Sequence, residues 1–182
     1  MRHEDETPRD SVVARLAACF GEHPAWLSAA AKLQPEASST VYFSHLPGQA
    51  WQLAMHDGRA RLEPGPAADP DLVFLFTPAA VGRLAGVDGA TGDFAVELFR
   101  LLAETRPHLR VRLRVAASFA RLVQRGYLGL LAAGGWGVLA FGATRGVRTI
   151  AQLRRLVEEA RLSQPEHWEQ CTEIVPTDRS DS

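Results

Sequence analysis

The sequence predicts an α+β fold: a five-stranded, mostly antiparallel or mixed sheet covered on one face by helices, with extra N- and C-terminal helices. Three observations carry this. Runs of period-two alternation cluster between residues 40 and 76 and return at 108–115; segments of helical spacing lie before, between and after them; and an Asp57-Gly58 dipeptide marks a tight hairpin inside the first cluster.

The elements follow in order. Residues 1–10 are polar and are expected to be disordered. Val12, Val13, Leu16, Ala17 and Phe20 have helical spacing after a cap at Asp10 or Ser11; Gly21 and Pro24 end that helix, and a short one over Pro24–Leu33 completes an N-terminal helical extension at 11–36. Thr40–Phe43 is rich in β-formers. Pro47-Gly48 turns the chain, and Trp51, Leu53 and Met55 alternate with Gln52 and Ala54. Beyond Asp57-Gly58, Ala60 and Leu62 alternate with Arg59, Arg61 and Glu63 until Pro64-Gly65-Pro66 stops the strand. Asp71–Phe76 is nearly all apolar, as in a strand covered on both faces. Thr77-Pro78 supplies an N-cap and a first-turn proline for a helix striped by Val81 and Leu84. A loop over Gly86–Gly92 leads to a helix at Asp93–Thr105, ended by Pro107. In His108–Val115, Leu109, Val111, Leu113 and Val115 face one way and Arg110, Arg112 and Arg114 the other. Phe119, Leu122, Val123 and Leu130 share helical spacing. A glycine-rich break follows, then a helix over Thr149–Leu162 whose apolar face is Ile150, Leu153, Leu156 and Val157, then a polar tail at 163–182.

The chain has 182 residues, 46% hydrophobic and 23% charged, enough for one core with extensions. A net charge of −1 and a pI near 6.6 imply no nucleic-acid partner. Cys19 and Cys171 have no partner spacing, and the charged start does not read as a secretory signal, so a reduced, cytoplasmic protein is expected. Tyr127–Ala143 carries no charge except at neighbouring Arg125 and Arg145. It is short for a spanning helix and broken by Gly134-Gly135-Trp136-Gly137, which favours burial, a gate or peripheral membrane contact.

Chemistry is scarce in this pattern. The six histidines are dispersed; His45 and His56 could meet across neighbouring strands beside Asp57, but surface positions near turns explain them as well. There is no nucleophile elbow, phosphate loop or metal-ligand spacing. No catalytic residue, no metal and no cofactor is expected, and the chain is read as not an enzyme.

The central order resembles the sterol carrier protein family of lipid-binding and lipid-transfer domains. The matching stretches are the strand-turn-strand at Trp51–Leu62, Ala68-Asp69 leading into Asp71–Phe76 and the Thr77-Pro78 helix, and the strand Leu109–Val115 followed by Phe119–Val123. The resemblance covers about half the chain and places a lipid-binding domain at 38–133, with its heart at Val41–Leu131, followed by a break and helix at 134–162. It implies helices over a five-stranded sheet and a pocket for a sterol, fatty acyl or polyprenyl (quinone-precursor) lipid. It also implies the roles of carrier, or of accessory factor and appendage of a biosynthetic enzyme.

The candidate ligand-binding residues are Trp51, Leu53, Phe74, Phe76, Val81, Phe94, Leu98, Val111, Leu113, Phe119, Leu122, Tyr127 and Trp136. Each could equally be plain core; as a group, with Tyr127–Ala143, they exceed what one sheet face and two helices can bury. Arg110, Arg112 and Arg114, joined by Arg59 and Arg61, are candidates for an acidic headgroup, or form a solvated face balanced by acids. The expected partner is a lipid or other apolar small molecule. A homodimer, or docking on a partner enzyme through the C-terminal apolar segment, is the alternative use of the same surplus.

Overall fold

In a computed structural model describing residues 8–88, 91–135, 142–143 and 146–163, the strands are β1 (Ser38–Phe43), β2 (Ala50–His56), β3 (Arg59–Pro64), β4 (Leu72–Phe76) and β5 (Arg112–Val115). They form one sheet in the order β3-β2-β1-β4-β5. β1 runs parallel to β4, and the other pairs are antiparallel, so the sheet is mixed. The parallel pair needs a crossover, which the β2–β3 hairpin and the 65–71 connection supply. The hairpin turns at Asp57-Gly58, both with positive φ, as a two-residue turn demands.

The register sorts the side chains. Ser39, Val41 and Phe43 pair across to Leu53 and Trp51 on one side and to Leu72, Phe74 and Phe76 on the other. Leu62 and Ala60, and Val115 and Leu113, continue the same face to the two edges. This apolar face carries the helices.

Among the described residues the helices are α1 (Pro8–Gly21), α2 (Pro24–Ala30), α3 (Pro78–Ala85), α4 (Thr91–Leu102), α5 (Phe119–Gln124), α6 (Tyr127–Ala133) and α7 (Ile150–Ser163). Leu16, Cys19, Phe20, Trp26 and Ala30 of α1 and α2 join Val41, Phe43, Phe76, Val81, Leu84, Phe94 and Leu101 in one buried cluster. The first two helices therefore belong to the same core as the sheet. α3 starts as its sequence dictates: Thr77 Oγ1 accepts the Ala80 N–H at 3.2 Å and Pro78 opens the helix.

Three expectations are corrected. The last strand is four residues long, not eight: Pro107–Leu109 forms a 3-10 turn and Arg110 caps it, so Arg110 lies outside the sheet. The pairing ends at Leu75–Arg112: Phe76 has no partner in β5, and the Val111 N–H donates instead to the Leu101 carbonyl at 3.0 Å. Second, the helix expected from Phe119 breaks at Gly126 into α5 and α6. Gly126 has φ +87°, and a Cβ there would lie 2.0 Å from the Lys32 carbonyl oxygen, so the chain turns where only glycine fits. Third, α1 begins at Pro8, inside the stretch expected to lack order.

Candidate functional site

Between the sheet and α2, α4, α5, α6 and α7 lies a cavity of about 340 Å³, near the lower end of the roughly 300–1,000 Å³ of small-molecule sites. Leu53, Met55, Ala60, Leu72, Phe74, Leu113 and Val115 form its floor on the sheet. Phe20, Trp26 and Leu33 close one side, and Leu98, Phe99 and Leu102 of α4 another. Leu122, Tyr127, Leu130 and Leu131 of α5–α6 and Leu153, Leu156, Val157 and Ala160 of α7 complete it. Among the described residues the lining holds no Lys, Arg, His, Asp or Glu. Leu156 is both a wall residue and 50% exposed, so α7 forms the rim.

A polar knot closes the end near Tyr127. Asp71, 0% exposed, precedes β4. Its Oδ1 lies 2.8 Å from an Arg125 guanidinium nitrogen and 2.9 Å from Arg121 Nε. Its Oδ2 accepts from the Ser38 backbone N–H and from the Tyr127 hydroxyl, both at 3.2 Å. Arg121 also reaches the Asp69 carboxylate at 2.7–2.8 Å and the Asp69 carbonyl at 2.7 Å. Two aspartates and two arginines thus neutralise one another, and the Asp71 carbonyl accepts the N–H groups of Ala116 and Ala117 at 2.9 and 3.0 Å. Burial pushes the Tyr127 phenol far above its ordinary range, so it remains a neutral donor. Arg121 holds the Asp69 carboxyl below the usual carboxylate range. The knot ties the start of β4 to the α5–α6 corner; it is a fastener beside the cavity.

α7 is fastened separately. Glu158 Oε1 accepts the Phe119 N–H at 2.9 Å, one of the free donors at the start of α5, while Ser118 Oγ accepts from Arg121 N at 3.3 Å. The hydrogen bond from Phe119 is the main cause of a Glu158 carboxyl held below its ordinary range.

Of the candidate ligand-binding residues, Leu53, Phe74, Leu98, Leu113, Leu122 and Tyr127 stand in the cavity wall. Phe76, Val81, Phe94 and Val111 are buried in the core beneath it. Trp51 packs edge-on against Phe43 at the far end of the sheet, and Phe119 serves as the first residue of α5. Trp136 lies outside the described residues, as does most of the break that follows it. Arg112 and Arg114 alternate with Leu113 and Val115, which puts them on the sheet face opposite the cavity. Arg59 and Arg61 share that face but stand on the other edge strand, four strand spacings or about 19 Å away. The arginines do not converge on the cavity. His45 and His56 lie at opposite ends of the β1–β2 hairpin; His45 packs against Phe43, and His56 sits 3.3 Å from Glu63. No group of three potential metal ligands occurs among the described residues, and no helix there is long and apolar enough to cross a membrane.

The wall residues that the sequence did not single out include Phe20 and Trp26, Met55, Leu72 and Val115 of the floor, Phe99 and Leu102 of α4, Leu130 and Leu131 of α6, and the α7 residues. The apolar stripe of α7 was visible as Leu153, Leu156 and Val157, but nothing local says what it covers.

No family model matches the chain, and no curated protein matches it. A solved structure described as a UbiJ-SCP2 ubiquinone synthesis protein is similar, with 13% identity and a TM-score of 0.39 over 73% of this chain and 95% of that one. The chain is an α+β protein with a five-stranded mixed sheet under helices.

Proposed function

We propose that this protein binds an apolar small molecule or lipid in the cavity between sheet and helices and carries it without chemistry of its own. The observation that supports this is the cavity itself: about 340 Å³ walled almost wholly by aliphatic and aromatic side chains. A sterol, fatty acyl or polyprenyl chain is the ligand class such a wall selects, since apolar burial contributes about 25 cal/mol per Å² before association costs. The lipid-binding domain at 38–133 holds the sheet and α3–α6, while α1 and α2 complete its core and α7 its rim. The test is native mass spectrometry of protein equilibrated with extracted lipids, followed by displacement of a fluorescent fatty acid or sterol. A ligand-bearing mass and saturable displacement are expected; a bare mass with no displacement overturns the proposal.

A second use rests on a different observation. Val123, Ile150, Leu156 and Leu162 are large apolar side chains exposed on α5 and α7 at 41%, 67%, 50% and 80%. These suit docking on a partner enzyme, a second copy or a membrane surface, in an accessory role that complements carriage. Size-exclusion mass with and without Leu162→Glu tests self-association: a monomer in both cases removes the second copy.

A further inference from the structure

The cavity offers a ligand almost nothing but hydrocarbon. The wall residues that carry hydroxyls are engaged: Tyr127 donates to Asp71, Ser39 hydrogen-bonds the Tyr127 oxygen, and Ser38 Oγ donates to the Asp69 carbonyl at 3.4 Å. The Trp26 indole nitrogen is buried. The nearby cations, Arg121 and Arg125, are committed to Asp69 and Asp71. A polar atom drawn inside would lose its water and meet no partner among the described wall residues, which is costly for a hydroxyl and prohibitive for a charge.

The space is also long and narrow. Its floor takes residues from all five strands, from Ala60 on the β3 edge to Leu113 and Val115 on the β5 edge, which is four strand spacings or about 19 Å. At the β3 end Phe20, Trp26, Leu53 and Ala60 are all buried. α7 packs beside β5 at the other end, where the half-exposed Leu156 marks the way to solvent. Spread over that span, 340 Å³ leaves a mean section of about 18 Å². That is a channel about 4 Å wide, the thickness of one hydrocarbon chain at packing distance. An apolar cavity of about 150 Å³ takes one benzene, six carbons; in proportion, 340 Å³ takes about 13 carbons.

Resting on the reading of the cavity as a ligand site, we infer that its ligand is a single-chain amphiphile of the fatty acyl class. One unbranched chain of about 13 carbons lies across the sheet from the α7 rim to Ala60, and its polar head stays in water outside the rim. The site measures chain length and is indifferent to the charge of the head. Fused rings and methyl-branched chains are too thick for the section.

The test is titration calorimetry of alkanoates of about 8 to 18 carbons, each below its critical micelle concentration, into the wild-type protein and Ala60→Leu. Affinity is expected to rise about fourfold per methylene up to about 13 carbons and to flatten beyond. Dodecanol and dodecanoate should bind within about tenfold of each other, and farnesol, methyl-branched on a main chain of the same length, more weakly than dodecanol. Ala60→Leu adds the bulk of about three carbons at the closed end and should lower the ceiling to about 10. A rise that continues past about 16 carbons, or farnesol binding as tightly as dodecanol, overturns the inference and leaves the cavity as a ligand site. A larger preference for dodecanol over dodecanoate puts the head inside and overturns it as well, as does an unchanged ceiling in folded Ala60→Leu. Should that variant fail to fold, the wild-type series decides alone. If no probe binds, the ligand site and the inference fall together.

Discussion

Asp71 shows how one residue can decide whether the cavity has an end wall. It is fully buried, and its charge is tolerable only because Arg121, Arg125, Tyr127 and the Ser38 N–H all point at it. Asp71→Asn keeps the shape but leaves two arginines facing a neutral amide. Because these guanidinium groups are 26% and 21% exposed, part of their hydration survives. The expected loss is about 2–3 kcal/mol, below the 3–5 typical of a wholly buried pair, read from urea unfolding. Arg125→Gln should cost less, since Asp71 keeps Arg121. A loss equal to that of Asp71→Asn would mean that Arg121 contributes nothing. Gly126 is the other decisive position. Gly126→Ala meets both a left-handed backbone and the Lys32 carbonyl, and should cost about 3 kcal/mol. Gly135→Ala, at φ +63° with open space around it, should cost only about 1 kcal/mol. Equal unfolding midpoints for the two variants would show that the close approach to Lys32 carries no weight.

At the scale of elements, strands were legible where alternation had a partner strand to meet. Leu53 and Leu113 stand in alternating runs and Phe74 in an all-apolar one; the strand register sets the three on one face. The same alternation over-ran at Leu109-Arg110, because Pro107 starts a 3-10 turn and the Val111 N–H turns to the Leu101 carbonyl instead of the sheet. The place of Trp26 in the cavity wall was not legible, since seven residues of α2 carry no periodic signal. Nor was the knot: Asp71 meets arginines fifty and fifty-four residues later, a separation no local pattern encodes. α7 was legible as an amphipathic helix but not as a rim, and its fastening is pH-dependent. The Glu158 carboxyl titrates below its ordinary value of 4.5, chiefly because of the Phe119 N–H, with Arg161 and Arg154 acting the same way. A depressed folded-state value means the stabilisation is complete above about 4.5 and disappears as pH falls through the lower folded value. Hydrogen exchange of α7 amides should therefore be constant from neutral pH to about pH 5, after correction for intrinsic rates, and then lose protection on acidification. Glu158→Gln should flatten that dependence; an unchanged profile would assign it to other carboxylates.

For the whole molecule, the cavity is a liability unless something fills it. At about 24 cal/mol per Å³, a sealed and empty space of 340 Å³ would cost about 8 kcal/mol, comparable with the entire stability of an ordinary domain. A fold of 182 residues tolerates such a space if it opens at the α7 rim or if a ligand occupies it. Two measurements separate ligand site from packing fault. A bound ligand at a hundred times its dissociation constant should add about 2.7 kcal/mol, which for a chain of this size raises Tm by about 5–11 °C. Ala60→Leu, which projects extra methylenes from β3 into the floor, should stabilise the ligand-free protein by up to about 2 kcal/mol and diminish the ligand-induced shift. The two effects oppose each other only if the methylenes and the ligand compete for one volume. A destabilised Ala60→Leu that keeps its full ligand response would mean that the space is closed in solution and that the ligand binds elsewhere.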